Sequence, residues 1–238
     1  MKSIECRRQS YFPVLPALLL SVLFALTGCT TPEKAKAEHV TRGEAFLKAQ
    51  KFQEASIEFR NAVQIDDKYA AAHWGLARAY EGLQRFQEAF DELRRSVELD
   101  PNNLEARVTL GNYYMANAAR SAEALGEAER LAKEILQKDP NNIEGHILMG
   151  SVLFAQNQRD QALAELNHAI ELDPKRVKSH LSLARFFLAT NEIAKAEETF
   201  KRAISLNNAS RRPLMPSKCL KSSASFSRCA ALSFSSVR

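Results

Sequence analysis

Leu99-Asp100-Pro101-Asn102-Asn103, Lys138-Asp139-Pro140-Asn141-Asn142 and Leu172-Asp173-Pro174 are three versions of one string. Pro140 and Pro174 stand 34 residues apart, and Pro101 and Pro140 stand 39 apart. Self-similarity at a fixed period of this size marks stacked supersecondary units. Each string closes one helix and prepares the next. Proline lacks the N–H that would continue a helix, and the asparagine after it supplies a side-chain oxygen for the following N-terminus. Between the strings the apolar residues fall at helical spacing: His73, Leu76, Ala77 and Tyr80, then Phe86, Ala89, Phe90, Leu93 and Val97. Only 8 Gly and 8 Pro interrupt a chain of 238 residues rich in Ala, Leu, Glu and Lys, which favours an all-α fold.

Worked outward from the strings, the register gives five units: 36–69, 70–103, 104–142, 143–176 and 177–210. They align Gly43, Ala77, Gly111, Gly150 and Ala184 at one small position, and Ala55, Ala89, Ala128, Ala162 and Ala196 at a second. Ala62, Ser96, Ile135, Ala169 and Ala203 fall at or beside a third. Repeat three carries five extra residues around 118–122, while Asp67 and Asn208 replace the proline of repeats one and five. Small residues recur where two helices cross closely, and one helix pair cannot bury its own apolar face, so neighbours must supply the core. This pattern resembles the tetratricopeptide repeat over about 175 of the 238 residues. The resemblance implies an all-α solenoid of five helix–turn–helix repeats in a right-handed superhelical arc, which binds proteins or peptides and needs no cofactor.

Charge and rare residues narrow the function. The formal net charge is +5, but residues 29–208 hold 24 basic and 27 acidic residues, so the body is mildly acidic and nucleic acid is not an expected partner. The helical middle has no cysteine and so needs no disulfide framework. His39, His73, His146 and His180 all fall at repeat position 4, where repeat three has Arg107. Equivalent positions of successive repeats do not converge on one ion, so the histidines read as a period marker and no metal is expected. No nucleophile–base set, phosphate-cradling loop or H-E-x-x-H string occurs, and the carboxylates stand at the spacing of a solvated helix face. The expectation is a protein without catalytic activity.

Two ends fall outside the array. Residues 1–28 combine Lys2, Arg7 and Arg8 with an apolar run over 14–26, the layout of an export signal. The run ends in Leu26-Thr27-Gly28-Cys29, which resembles the bacterial lipobox. That resemblance implies lipid on Cys29, membrane attachment through several acyl chains, and a tether over 29–35. Thr30 follows the cysteine where an Asp would retain it, so a periplasm-facing outer-membrane site is expected over the inner membrane. At the other end, 211–238 is a basic, Ser-rich stretch that reads either as a disordered tail or as an out-of-frame or truncated end of a longer repeat protein.

The tetratricopeptide resemblance also implies a concave groove lined by the first helix of each repeat. Carried over residue by residue, its candidates are Trp74, Arg78, Asn112, Met115, Ser151, Phe154, Arg185 and Leu188, with Val40, Glu44, Leu47 and Lys48 in repeat one. A mixture of aromatic, Met, Arg and Asn side chains suits an interface core. Val40 and Glu44 stand where carboxylate-clamping members of the family have Lys and Asn, which excludes that ligand class. The function expected is a scaffold organising an envelope assembly, similar to repeat lipoproteins of pilus biogenesis or of polysaccharide and surface-protein export. The alternative is the adaptor portion of a longer enzyme or export component.

Overall fold

Thr31-Pro32-Glu33 is a strong helix start, because Thr31 Oγ1 accepts from the Lys34 N–H at 3.4 Å, proline tolerates the first turn and Glu33 complements the helix dipole. The first helix, α1 (Pro32–Lys48), therefore begins inside the segment expected as a tether. The computed structural model describes residues 31–211, and Cys29, the export-like segment and residues 212–238 lie outside them. Within that span the order is α2 (Phe52–Ile65), α3 (Ala70–Gly82), α4 (Phe86–Leu99), α5 (Leu104–Asn117), α6 (Ala122–Lys138), α7 (Ile143–Ala155), α8 (Arg159–Leu172), α9 (Val177–Ala189) and α10 (Ile193–Arg211). These ten described helices form five antiparallel pairs, one per repeat. They divide into two compact units, one ending at Asp100 and the other starting at Pro101.

The asparagines act as the strings require. Asn103 Oδ1 accepts from the Ala106 N–H at 3.0 Å, and Asn142 Oδ1 from the Gly145 N–H at 2.9 Å. The turns inside four of the repeats use a different device. Gln50, Gln84, Asn157 and Asn191 adopt left-handed φ of 57–64°. In repeat two this lets the Arg85 N–H reach back to the Tyr80 carbonyl at 2.9 Å and close the end of α3. Repeat three has no such residue; its turn is longer, and Ser121 Oγ caps α6 by accepting from Ala124 N–H. The extra residues there are taken up mostly as helix, for α6 has 17 residues where α4 and α8 have 14.

In the first unit the core is built around Phe59, which is fully buried. A Cβ on Gly43 of α1 would lie 2.7 Å from its ring, and a Cβ on Gly75 of α3 only 2.1 Å. The two glycines thus make the space that lets one aromatic ring hold three helices together. In the second unit Val108, Ala132, Ile135, Leu148 and Met149 join α5, α6 and α7. Further along, Leu166, Leu183, Phe186 and Phe187 join α8 and α9. Each large side chain so buried contributes roughly 1.5–3 kcal/mol relative to exposure, both between the two helices of a repeat and between neighbouring repeats.

Candidate functional site

The first helix of each repeat (α1, α3, α5, α7, α9) carries the candidate residues, and the structure treats them unequally. In the first unit Arg78 Nη1 donates to Glu44 Oε1 at 2.8 Å, across one full repeat. The Arg78 guanidinium also lies 5.5 Å from the centre of the Trp74 ring. Glu44, Arg78 and Trp74 therefore form one half-buried stack on α1 and α3, with an aromatic face and a cation already in contact.

In the second unit the candidates separate into packed and presented groups. Met115 and Phe154 turn into the core: Met115 packs on the α5–α7 cluster, and the Phe154 ring meets Phe186 edge-on at 5.4 Å. Ser151 donates its hydroxyl to the Ile147 carbonyl of its own helix at 2.9 Å. Asn112 and Arg185 are exposed, and Leu188 is 53% exposed. Asn112 alone of these lines an open cleft of about 340 Å³. Leu104, Glu105, Val108 and Thr109 of α5 line it with Asn112, and Asn142, Glu144, Arg176 and Lys178 line it from the starts of α7 and α9.

The charges in that wall are arranged around one carboxylate. Arg176 Nη2 donates to Glu144 Oε1 at 2.5 Å, and Lys178 Nζ donates to Glu144 Oε2. Burial works against the ionised form of Glu144, but Lys178 and Arg176 overcome it and hold the carboxyl below its usual range. Arg176 Nε is buried without an acceptor among the described residues, which leaves a donor unspent in a side chain that lines the cleft. A mostly polar lining with amide and guanidinium groups beside Leu104 and Val108 suits the backbone and side chains of a peptide segment. Sequence reasoning did not single out Asn142, Glu144, Arg176 and Lys178. Their signal was present as Glu144 and Lys178, opposite charges one 34-residue period apart. Among the described residues no group of three or more His, Cys, Asp or Glu is placed to hold a metal ion, and no helix is long and apolar enough to cross a membrane.

Family models described as tetratricopeptide repeat match residues 40–103, and residues 119–176 and 153–212, together more than half of the chain. No curated protein matches it. Among solved structures, TTC0263, a thermophilic TPR protein of Thermus thermophilus, is similar with a TM-score of 0.61 at 20% identity, over 72% of this chain and 91% of that one. Pseudomonas aeruginosa pilF gives 0.58 at 19% identity, over 73% of this chain and 77% of that one. YrrB, a TPR protein with an unusual peptide-binding site, gives 0.54 at 18% identity, over 75% and 93%. At such identities the likeness speaks to the fold, and the repeat models carry the assignment. The chain belongs to the tetratricopeptide-repeat family and is a protein-binding scaffold of about five repeats.

Proposed function

We propose that this scaffold is held to a bacterial envelope membrane by lipid on Cys29 and takes a peptide segment of a partner protein against its first-helix side chains, without catalysing a reaction. The observation that carries the peptide reading is the cleft of about 340 Å³ on α5, α7 and α9, lined by Leu104 and Val108 together with Asn112, Asn142 and Arg176. The anchor reading is supported by the basic, then apolar, then Leu26-Thr27-Gly28-Cys29 order of the N-terminus, and Thr30 favours the outer membrane. In that setting the repeats organise an envelope assembly of the pilus or export kind.

Two experiments test this. A photocrosslinking amino acid at position 112 should trap a discrete membrane-associated partner, while the same probe at the exposed Asn167 of α8 should not. Equal labelling at both positions would overturn the groove reading. Mass spectrometry of the mature protein should find the N-terminus at Cys29 with acyl chains attached. An unmodified Cys29 refutes the anchor.

A further inference from the structure

Repeat position 4 holds a basic side chain on every first helix, and what surrounds it differs between repeats. In repeat two, His73 Nδ1 lies 2.6 Å from Glu92 Oε2 on α4, and its Nε2 lies 2.9 Å from the Asp67 carbonyl in the loop before α3. In repeat four, His146 Nδ1 lies 2.6 Å from Glu165 Oε2 on α8, and its Nε2 lies 2.9 Å from the Pro140 carbonyl. The same geometry thus recurs once in each compact unit. Both rings are buried, and their carboxylate partners are half-buried.

A neutral imidazole has one N–H and one lone pair. A carboxylate and a backbone carbonyl only accept. A neutral ring in this setting makes one bond and turns its lone pair against the second acceptor, whereas the imidazolium donates to both. We propose that His73 and His146 are proton-operated latches, which in the charged form tie the first helix of a repeat to the second helix and to the preceding loop, and which drop one tie on losing a proton.

The charged and titratable neighbours are few. Facing His73 are Glu92 and Arg95 on α4 and Asp67 in the loop. Facing His146 are Glu165 and the His168 ring on α8, the latter edge-on at 4.6 Å and itself bonded to Glu171. For His73, burial disfavours the charge and Arg95 opposes it, but Glu92 and the Asp67 carbonyl outweigh both and hold the ring above the ordinary histidine value.

The other repeats serve as internal controls. Repeat three has a permanent cation, with Arg107 Nη1 2.9 Å from Glu134 Oε2 on α6. In repeat five His180 Nε2 lies 2.9 Å from the Pro174 carbonyl, and Thr199 occupies the position, 19 residues on, that Glu92 and Glu165 hold. A neutral ring satisfies that site. In repeat one His39 Nδ1 also lies 2.7 Å from Glu58 Oε2, but Arg42 Nη2 stands 2.8 Å from that nitrogen and Arg42 Nε donates to Glu58 at 2.9 Å, so the carboxylate has a cation whatever the ring does. The latched helices α3 and α7 also carry Trp74, Arg78 and Ser151, so proton loss loosens the mounting of candidate groove side chains.

The sign follows from the favoured charged state. For His73 the latch contribution is complete below the ordinary histidine value of about 6.5 and is lost as pH rises through the folded value. Ordinary carboxylates, lysines and arginines titrate outside pH 6–8.5. The test is ¹⁵N NMR of the ring nitrogens in the full chain from pH 5 to 9, with thermal unfolding of the native chain and of His73→Arg/His146→Arg. At pH 6 the His73 ring should show two protonated nitrogens, and it should lose its second proton at higher pH than the histidines of the urea-unfolded chain. The native thermal midpoint should fall further between pH 6 and 8.5 than that of the double arginine variant, which keeps His39, His168 and His180. A singly protonated His73 ring at pH 6, or the same fall in the arginine variant, overturns the proposal. If that variant fails to fold, the ring-nitrogen spectra of the native chain decide alone.

Discussion

Gly75→Ala isolates the contact on which the first unit is built. In an open helix interior the exchange gains about 1 kcal/mol, because alanine is the better helix former. Here the new methyl would stand 2.1 Å from Phe59 Cε1, 2.4 Å from Cζ and 2.5 Å from Cδ1. Carbon atoms rest at about 3.5–4.0 Å, so the ring must retreat by roughly 1.5 Å. It is fully buried and already lies against Gly43, where a Cβ would meet it at 2.7 Å. Overpacking of this kind costs about 1–3 kcal/mol, and the closeness of the approach puts this case at the upper end. After the helix gain, the expected net loss is about 2 kcal/mol. Gly126→Ala on α6 supplies the contrast, since nothing lies within 4 Å of its Cβ position; there the full gain of about 1 kcal/mol should appear. Urea unfolding followed by the fluorescence of Trp74, the one tryptophan and a neighbour of Gly75, reports on the first unit. Far-UV circular dichroism reports on both units. Phe59→Leu should partly rescue Gly75→Ala, because the smaller side chain leaves room for the methyl, and the double-mutant cycle should show that coupling. A Gly75→Ala chain as stable as the native one, or a cycle without coupling, would mean that the Phe59 ring does not set the spacing of these helices.

Four further substitutions have expected outcomes. Gln84→Gly should raise stability by about 0.5–1 kcal/mol in the same urea assay, since Gln84 sits at φ 60°, where a side chain is disfavoured. Ser179→Ala should be neutral or stabilising by up to about 1 kcal/mol, because the Ser179 hydroxyl is fully buried with no partner among the described residues. Ser96→Ala should be destabilising by about the same amount, since Ser96 Oγ donates to the Ala70 carbonyl at 3.1 Å. Glu144→Gln should cost the second unit about 1 kcal/mol at neutral pH. Because the Glu144 carboxyl is held below its usual range, its contribution is present above the ordinary glutamate value and is lost as pH falls through the folded one. An acid titration of stability should therefore be flatter for Glu144→Gln than for the native chain, and identical curves would rule the ion pair out as its source.

Local chemistry made the repeat legible without coordinates. Pro101, Pro140 and Pro174 stop helices by lacking a donor, and Asn103 and Asn142 cap helices three residues away. Interactions that close within a few residues leave a spaced signature. Position 4 was legible as a period, but the meaning of its histidines was not. Glu92 and Glu165 lie 19 residues downstream on another helix, and only the crossing of α3 with α4 and of α7 with α8 brings them to the rings. The candidate groove divides in the same way. Asn112, Met115 and Phe154 were equivalent as first-helix positions, yet Asn112 lines the cleft while Met115 and Phe154 are taken up by neighbouring helices.

The period, the helix type and the helix ends at the proline strings were thus written in the chain, because proline, asparagine and apolar spacing act along one short segment. Folding in three dimensions was needed to set Phe59 across two glycines 32 residues apart, to share Glu144 between Arg176 and Lys178, and to leave Asn112 lining an open cleft while other first-helix side chains are packed away. Those outcomes depend on side chains contributed by adjacent repeats, whose approach is set by packing and not by any single stretch of sequence.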